Sequence, residues 1–256
     1  MPGPMSVVEG GVVDHPEAAP VRHERVRFEG TRFVGLTGMR GWLSFEACEL
    51  VDCEFVDCDV DATFCGALAH PESASRFAGV RFVRSRLAGA YLGGARLERC
   101  RFEDCDFDGV RWDSLDLVDC TFTGVVASMN LSASSGPISR PPPFHKEKLP
   151  PRANLITGND FSQADLRALN LRGGVPIDQQ RWPDDPSYVV LDRVPERLAA
   201  VLDTLGGATD AESRLVRTML ANEARSGQDV DIYRVDDPVM SAAHHRMVRL
   251  LVAVDL

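Results

Sequence analysis

The chain of 256 residues carries 38 acidic residues, 28 basic residues, seven cysteines and a net charge of −10. This length fits one large domain or two modest domains. The acidic balance argues against a broad nucleic-acid-binding surface, which requires clustered Lys and Arg. The chain contains no run of about 18 apolar residues, the length that would predict a transmembrane helix. Its start lacks the pattern of a secretory signal. We therefore expect a cytoplasmic protein with reduced thiols.

Residues 1–25 are the first segment in chain order and are rich in Pro, Gly, Val and Ala. They follow neither a helical period nor a strand period, which is typical of unstructured termini. We predict a loose N-terminal tail that ends where a regular pattern begins, at residue 26.

A five-residue repeat dominates the next part of the chain. A mostly small residue stands two positions before each of a series of large apolar residues, which recur at every fifth position: Phe77, Phe82, Leu87, Leu92, Leu97, Phe102, Phe107, Trp112, Leu117 and Phe122. A period of five fits neither a helix nor an ordinary strand. Two inward positions in every five residues predict a solenoid whose chain turns a corner at each repeat.

These residues resemble the pentapeptide-repeat family, whose pattern is roughly A-(D/N)-L-x-x. Gln163–Arg167 (QADLR) and Cys105–Gly109 (CDFDG) are close copies, and the resemblance covers about 26–124 and 153–173. It implies a mainly β fold, in which four repeats make one coil of a right-handed quadrilateral parallel β-helix. At this repeat length the chain forms about five to six coils, followed by a small α-helical C-terminal region.

The charges support this geometry independently. Positions 20 residues apart lie on neighbouring strands of such a solenoid, so Arg96 faces Asp116. An insertion near 66–73 lengthens the offset to 27, and Glu54 then faces Arg81. Opposite charges across neighbouring strands stabilise a sheet by roughly 0.2–1 kcal/mol per pair. The same register leaves two like-charged pairs, Arg76 over Arg96 and Arg81 over Arg101, and aligns one phenylalanine column: Phe33, Phe55, Phe82, Phe102 and Phe122.

The seven cysteines allow a metal or disulfide interpretation, but their spacing favours a structural one. Cys65 falls on a large inward position, and the other six occupy the small inward position: Cys48, Cys53, Cys58, Cys100, Cys105 and Cys120. No C-x₂-C pair and no matching His accompany them. We predict buried free thiols that act as small apolar residues, with neither a metal nor a cofactor.

A Ser- and Pro-rich stretch at 128–153 interrupts the repeats. Long loops are often functional, and this one carries four candidate interaction residues: Phe144, His145, Lys146 and Lys148. A flexible insertion is the alternative interpretation. The repeats resume at 153–173 as the last coil, which predicts a β-helix over 26–174 with interruptions near 66–73 and 128–153.

Beyond the last repeat the period becomes helical and predicts a capping or docking domain over 175–256. One helix begins at Pro195, Thr209 and Glu212 form a capping box for a second helix, and Asp237 with the following proline starts a third. Three roles are open for their apolar stripes: to pack the helices together, to cap the end of the β-helix, or to pair two subunits. A cap has a physical purpose, because unpaired strand edges at the end of a β-helix promote association.

No phosphate loop, dinucleotide fingerprint, nucleophile elbow or zinc-protease motif is present, and we predict no catalytic residues. The leading hypothesis is a non-catalytic scaffold or protein-binding protein that contacts neither nucleic acid nor membrane. The sequence is compatible with both a monomer and a homodimer. In the register above, four acids without an opposite partner form a girdle around one coil. These four are further candidate interaction residues: Glu98, Glu103, Asp108 and Asp113.

The family resemblance implies a second hypothesis. Some pentapeptide-repeat proteins mimic the shape and charge of duplex DNA, bind DNA gyrase or a related topoisomerase, and confer resistance to quinolone-type inhibitors. The rod shape and the acidic excess over 26–124, with 17 acids against 11 bases, fit this hypothesis. Arginines on successive coils weigh against it, because a DNA mimic needs an uncompensated acidic face.

Overall fold

Short parallel strands stacked coil upon coil make up most of the structure, a computed structural model. It describes residues 5–14, 21–36, 43–59, 74–90, 92, 94–110, 112, 115–135 and 152–256. Three helices follow the strands near the C-terminus. The predicted mainly β fold, a parallel β-helix followed by a helical region, is confirmed.

Two faces of the coils are seven-stranded parallel sheets in the described part of the chain. The first contains β1 (Ser6–Glu9), β4 (Val26–Glu29), β7 (Glu49–Val51), β9 (Arg76–Ala78), β11 (Arg96–Glu98), β13 (Asp116–Val118) and β18 (Ile156–Thr157). The second contains β2 (Val12–Val13), β5 (Arg32–Val34), β8 (Glu54–Val56), β10 (Arg81–Val83), β12 (Arg101–Glu103), β14 (Thr121–Ala127) and β19 (Asp160–Arg167). Most of these strands have three or four residues because the chain turns a corner after each repeat.

The remaining strands of the β-helix form two-stranded sheets. Two of these pairs are parallel: β3 (Val21–Glu24) with β6 (Leu43–Glu46), and β15 (Asn130–Ser132) with β20 (Asn170–Arg172). One pair is antiparallel: β16 (Ser134–Ser135) with β17 (Arg152–Ala153).

The corners explain the period of five. Two residues after the central residue of a strand, the backbone adopts a positive φ, as at Asp57 (52°), Arg84 (45°) and Asp104 (53°). In this left-handed conformation the chain leaves one face and enters the next. Gly124 occupies the same corner with φ 78°, and glycine adopts this conformation without steric penalty.

The predicted register is confirmed. Strand pairing places Arg96 opposite Asp116 and Glu54 opposite Arg81. The predicted phenylalanine column lies on the second face, with neighbouring ring centroids 4.5–5.0 Å apart. Phe161 and Trp182 extend this column at 4.7 and 5.1 Å. Stacked rings therefore run through the core from the second coil to the start of the C-terminal region.

The prediction of a loose tail at 1–25 is wrong for the described residues of that segment. β1 and β2 pair in parallel with β4 and β5, and β3 pairs with β6. Val8 lies opposite Phe28, and Val13 opposite Phe33, at the offset of 20 seen elsewhere. Backbone pairing thus adds a further coil, and seven strands per sheet exceed the five to six coils that the sequence predicts.

Two other boundaries also differ from the prediction. β15 and β16 lie inside the interruption predicted at 128–153, because Leu131 fills the next inward position opposite Leu171. The stacking continues past residue 174, where Arg181 bridges to Asp160 and Trp182 stacks on Phe161. The interruption predicted near 66–73 lies outside the described residues.

The C-terminal region contains α1 (Val194–Leu205), α2 (Ala211–Glu223), α3 (Ala242–Val252) and an antiparallel pair, β21 (Tyr188–Leu191) with β22 (Asp231–Arg234). The three helices were predicted, but two starts differ. Asp210, not Thr209, caps α2 by accepting a hydrogen bond from the Ser213 amide at 2.8 Å. Ser241 caps α3 by accepting a hydrogen bond from the His244 amide at 3.2 Å, and Asp237 bonds to the β-helix instead.

The helices pack together and also cap the β-helix. Leu198, Val216 and Val248 belong to one apolar cluster built from all three helices. At the junction, the amides of Gly174 and Val175 donate to Gln228 Oε1 at 2.6 and 2.8 Å. The Ala168 amide donates to Asp237 Oδ2 at 2.6 Å. These bonds satisfy backbone groups at the end of the β-helix that would otherwise lack a partner.

Candidate interaction surfaces

Ion pairs between coils cover the flat faces of the β-helix. Glu54 receives Arg32 Nε at 2.8 Å from one side and Arg81 Nη1 at 2.7 Å from the other. Arg86 lies between Asp59 and Asp106, 3.4 Å from each. The acids and arginines of the described coils therefore alternate along ladders, and much of the acidic charge has a cationic neighbour.

The prediction that the acids of the girdle lack a partner is wrong for Glu98 and Glu103. Glu98 is 9 % exposed and accepts Arg76 Nε at 2.9 Å and Arg96 Nε at 2.5 Å. Glu103 accepts Arg81 Nη2 at 2.9 Å. The sequence register compared only directly opposite positions, whereas Arg76 and Arg81 reach the acid diagonally on the next strand and Arg96 reaches Glu98 along its own strand. Burial opposes ionisation of Glu98, but its two arginine partners outweigh this effect and lower its pKa.

Of the other candidate residues, only Asp108 lies in the described part of the chain. Asp108 is exposed at a turn on another face of the same coil. The remaining five candidates lie outside the described residues: Asp113, Phe144, His145, Lys146 and Lys148.

The thiols of the β-helix lie inside the core. All six cysteines among the described residues are free and buried, as predicted, and Cys65 lies outside that part of the chain. Burial raises the pKa of Cys105 to about 11 and also raises the pKa of Cys100. The thiolate is the reactive form, so these side chains are structural.

A cleft of about 450 Å³ separates the last coil from the helical cap. Polar residues such as Asn130 and Asn170 line the β-helix wall, and Met219, Asn222 and His244 line the cap wall. The two walls meet where Asp237 joins Ala168. None of the residues singled out by the sequence analysis as interaction candidates lies in this cleft.

Three titratable side chains form a cluster in the cap wall, in which Asp231 and Tyr233 are buried and Glu223 is half-buried. Tyr233 donates its hydroxyl hydrogen bond to Glu223 Oε1 at 3.0 Å. Glu223 also hydrogen-bonds with Asp231, which is 4 % exposed. Burial and the neighbouring Glu223 raise the pKa of Asp231 to about 8, and burial raises the pKa of Glu223 and of Tyr233. Because the pKa of Asp231 lies above 7, the pair retains a proton at neutral pH.

Charged groups on the other elements complete the cleft. Arg234 pairs with Asp165 and donates to the Leu166 carbonyl at 3.1 Å, which ties β22 to the last coil. Burial lowers the pKa of His244, so this side chain is neutral at neutral pH. Among the described residues, no group of three or more His, Cys, Asp or Glu side chains is placed to hold a metal ion.

The sequence analysis missed this cleft for a physical reason. Glu223 ends a helix and Asp231 begins a strand, and only the packing of the cap brings their carboxyl groups together. One local signal existed. Asp231 stands directly before Ile232 and Tyr233 in a short apolar strand, where an acid is expected to be unfavourable.

Comparison with known proteins supports the repeat architecture. Residues 81–124 match the family model described as pentapeptide repeats, with eight copies. No curated protein matches the chain. No helix in the described part is long and apolar enough to cross a membrane.

Proposed function

Because this chain is a pentapeptide-repeat protein, we propose that it is a non-catalytic cytoplasmic scaffold that binds another protein. The β-helix serves as a rigid rod, and the cleft under the helical cap receives the partner. Function is assigned to a site rather than to the fold, because one fold supports many functions.

The distribution of paired charge is the observation that carries this proposal. Ladders such as Asp59–Arg86–Asp106 and Arg32–Glu54–Arg81 neutralise the rod internally. The charged groups on these sheets already have partners within the protein, so few of them are available to bind another protein. The cleft instead combines exposed polar side chains, such as Asn130 and Asn222, with apolar side chains, which is the composition of a recognition site.

The cleft walls suit a protein segment. Met219, Met240 and Met247 line the cap wall, and unbranched thioether side chains adapt to irregular partner surfaces. Asn130 and Asn222 are exposed on opposite walls and can hydrogen-bond to a partner backbone. An extended segment of the partner lying between these walls would contact both the rod and the cap.

Filling the cleft tests this proposal. Asn130→Trp and Asn222→Trp each place a bulky side chain in the cleft from opposite walls. Leu215→Trp is the matched control, because Leu215 lies on the same helix as Asn222 and is exposed outside the cleft. The proposal expects a partner captured by the wild type and the control but lost from both cleft variants. Equal capture by all four proteins would contradict it.

DNA mimicry with binding to a topoisomerase is the alternative function. The arginine ladders weigh against it, because they interrupt any continuous acidic stripe on the described faces. Adding the protein to a DNA gyrase supercoiling reaction discriminates the two functions. A scaffold leaves supercoiling unchanged, whereas a DNA mimic inhibits it or protects the enzyme from a quinolone.

A further inference from the structure

The N-terminal end of the β-helix presents an apolar surface. Val7 and Val12 are 55 % and 56 % exposed, and Val8 and Val13 are 39 % and 37 % exposed. These four valines lie on β1 and β2, the terminal strands of the two long sheets. No described residue pairs with the free edge of either strand.

Two of these valines occupy core positions. Val8 lies over Phe28, and Val13 over Phe33, in the inward columns. One coil further along, Phe28 and Phe33 are only 4 % and 1 % exposed. Among the described residues, therefore, no further coil closes the interior of the solenoid at this end. Terminal repeats that face water are normally polar, so an apolar terminal coil indicates a surface that is covered.

The backbone of β1 also has unused hydrogen-bonding groups. The amides of Ser6 and Gly10 donate towards the next coil, to Arg25 O at 3.1 Å and Glu29 O at 2.7 Å. Alternate amides of a strand point to opposite sides, so those of Val7 and Glu9 point away from the body of the protein. Such an edge is a template for pairing with another strand.

We propose that this end docks on the same end of a second copy of the chain. A two-fold axis through the corner at Gly10 and Gly11 would place β1 of each chain against β2 of the other in antiparallel pairing. Inward residues must then meet inward residues, because side chains alternate between faces. Val8 of one chain therefore lies opposite Val13 of the other, and each contact occurs twice.

The chemistry of the surface selects a second copy over an unrelated partner. The contact needs two apolar strands joined at a corner with the cross-section of this solenoid, and another copy supplies both. Glu9 is the only charged residue from Ser6 to Val13, so two copies approach here without the repulsion expected elsewhere on a chain of net charge −10. This inference concerns the end of the rod opposite the cleft and does not depend on the proposed function.

Analytical ultracentrifugation tests the association. Only two short strand pairs form, so the dimer should be weak and should appear progressively between about 5 and 200 µM. Val8→Lys and Val13→Lys introduce charges at partly exposed positions, and both variants should remain folded monomers. Leu215→Lys is the matched control at the capped end, where Leu215 is 50 % exposed, and it should dimerise like the wild type. A wild type that stays monomeric over the whole range overturns the proposal.

Cross-linking tests the geometry separately from stability. A mixture of Val8→Cys and Val13→Cys chains should form a disulfide-linked dimer under mild oxidation, because these positions face each other across the two-fold axis. Either variant alone, like the wild type, should form little disulfide-linked dimer. Equal cross-linking within each single variant would overturn the two-fold arrangement, and loss of the dimer only in Leu215→Lys would place the contact at the cap.

Discussion

Arg76 lies directly opposite Arg96 on the neighbouring strand, yet both guanidinium groups donate to the same carboxylate, that of Glu98. The Glu98 carboxylate thus bridges the two arginines, so that a like-charged pair, which would be unfavourable alone, becomes part of a triad. On the next face Glu103 also accepts a hydrogen bond from an arginine on the neighbouring strand, Arg81. The rod is thus acidic in composition while its described ladders are largely neutralised.

Removing the shared acid should destabilise the β-helix. Glu98→Gln leaves Arg76 and Arg96 facing each other and removes charge-assisted hydrogen bonds, at a cost of about 1–3 kcal/mol in the free energy of unfolding. Asp108→Asn on the same coil is the control, because Asp108 is exposed, and it should change stability by less than about 0.5 kcal/mol. Urea denaturation measures both variants, and equal effects would show that the triad is not stabilising.

The stability lost when a corner glycine is replaced by alanine should depend on which atoms lie beside the new Cβ. A Cβ at Gly124 would lie 2.5 Å from Asp104 Oδ1 and 3.2 Å from Asp104 Cα, whereas a Cβ at Gly35 meets nothing within 4 Å. Both residues have positive φ (78° and 60°). Gly35→Ala should therefore cost only the backbone penalty of about 1–2 kcal/mol, and Gly124→Ala should cost more. Thermal unfolding compares them, and equal losses would contradict the close packing at this corner.

The carboxyl pair in the cap should make stability depend on pH. The folded state holds the Asp231 proton up to a pKa of about 8, whereas the unfolded state releases it above about pH 4. This contribution therefore falls as pH rises from about 4 to 8, by at most about 1.4 kcal/mol per pH unit, and then levels off.

Asp231→Asn isolates this contribution from the other titrating groups. The stability of the wild type minus that of the variant should decrease between pH 6 and about 8, since only the wild type loses the proton. Asp203→Asn, which removes an exposed carboxylate on α1, is the matched control. A constant difference between wild type and Asp231→Asn from pH 6 to 9 would contradict the shared proton.

The thiols should be inaccessible in the folded protein. All six described cysteines are buried and free, so native protein should expose at most one of its seven thiols to a thiol-specific reagent at pH 8. Denaturant should release all seven. Rapid reaction of several thiols in the native state would show that the repeat core opens readily.

The five-residue spacing predicted a solenoid because inward residues must stack, and the resemblance to pentapeptide repeats supplied the β-helix. The offsets of 20 and 27 were readable because complementary charges such as Glu54 and Arg81 lie directly opposite. The first coil was not recognised, since Val8 and Val13 belong to only two consecutive repeats, which are too few to establish a period of five. The cleft could not be predicted, because its walls come from distant segments that only tertiary packing brings together.

Site-specific photo-cross-linking in the native host is the most direct test of a scaffold that binds through its capped end. A photoreactive residue at Asn222 reports on the cleft, and one at Asp108 reports on a face of the rod. The scaffold model predicts a discrete protein adduct from position 222 and none from position 108. An adduct from position 108 alone would place recognition on the rod and contradict the proposed function.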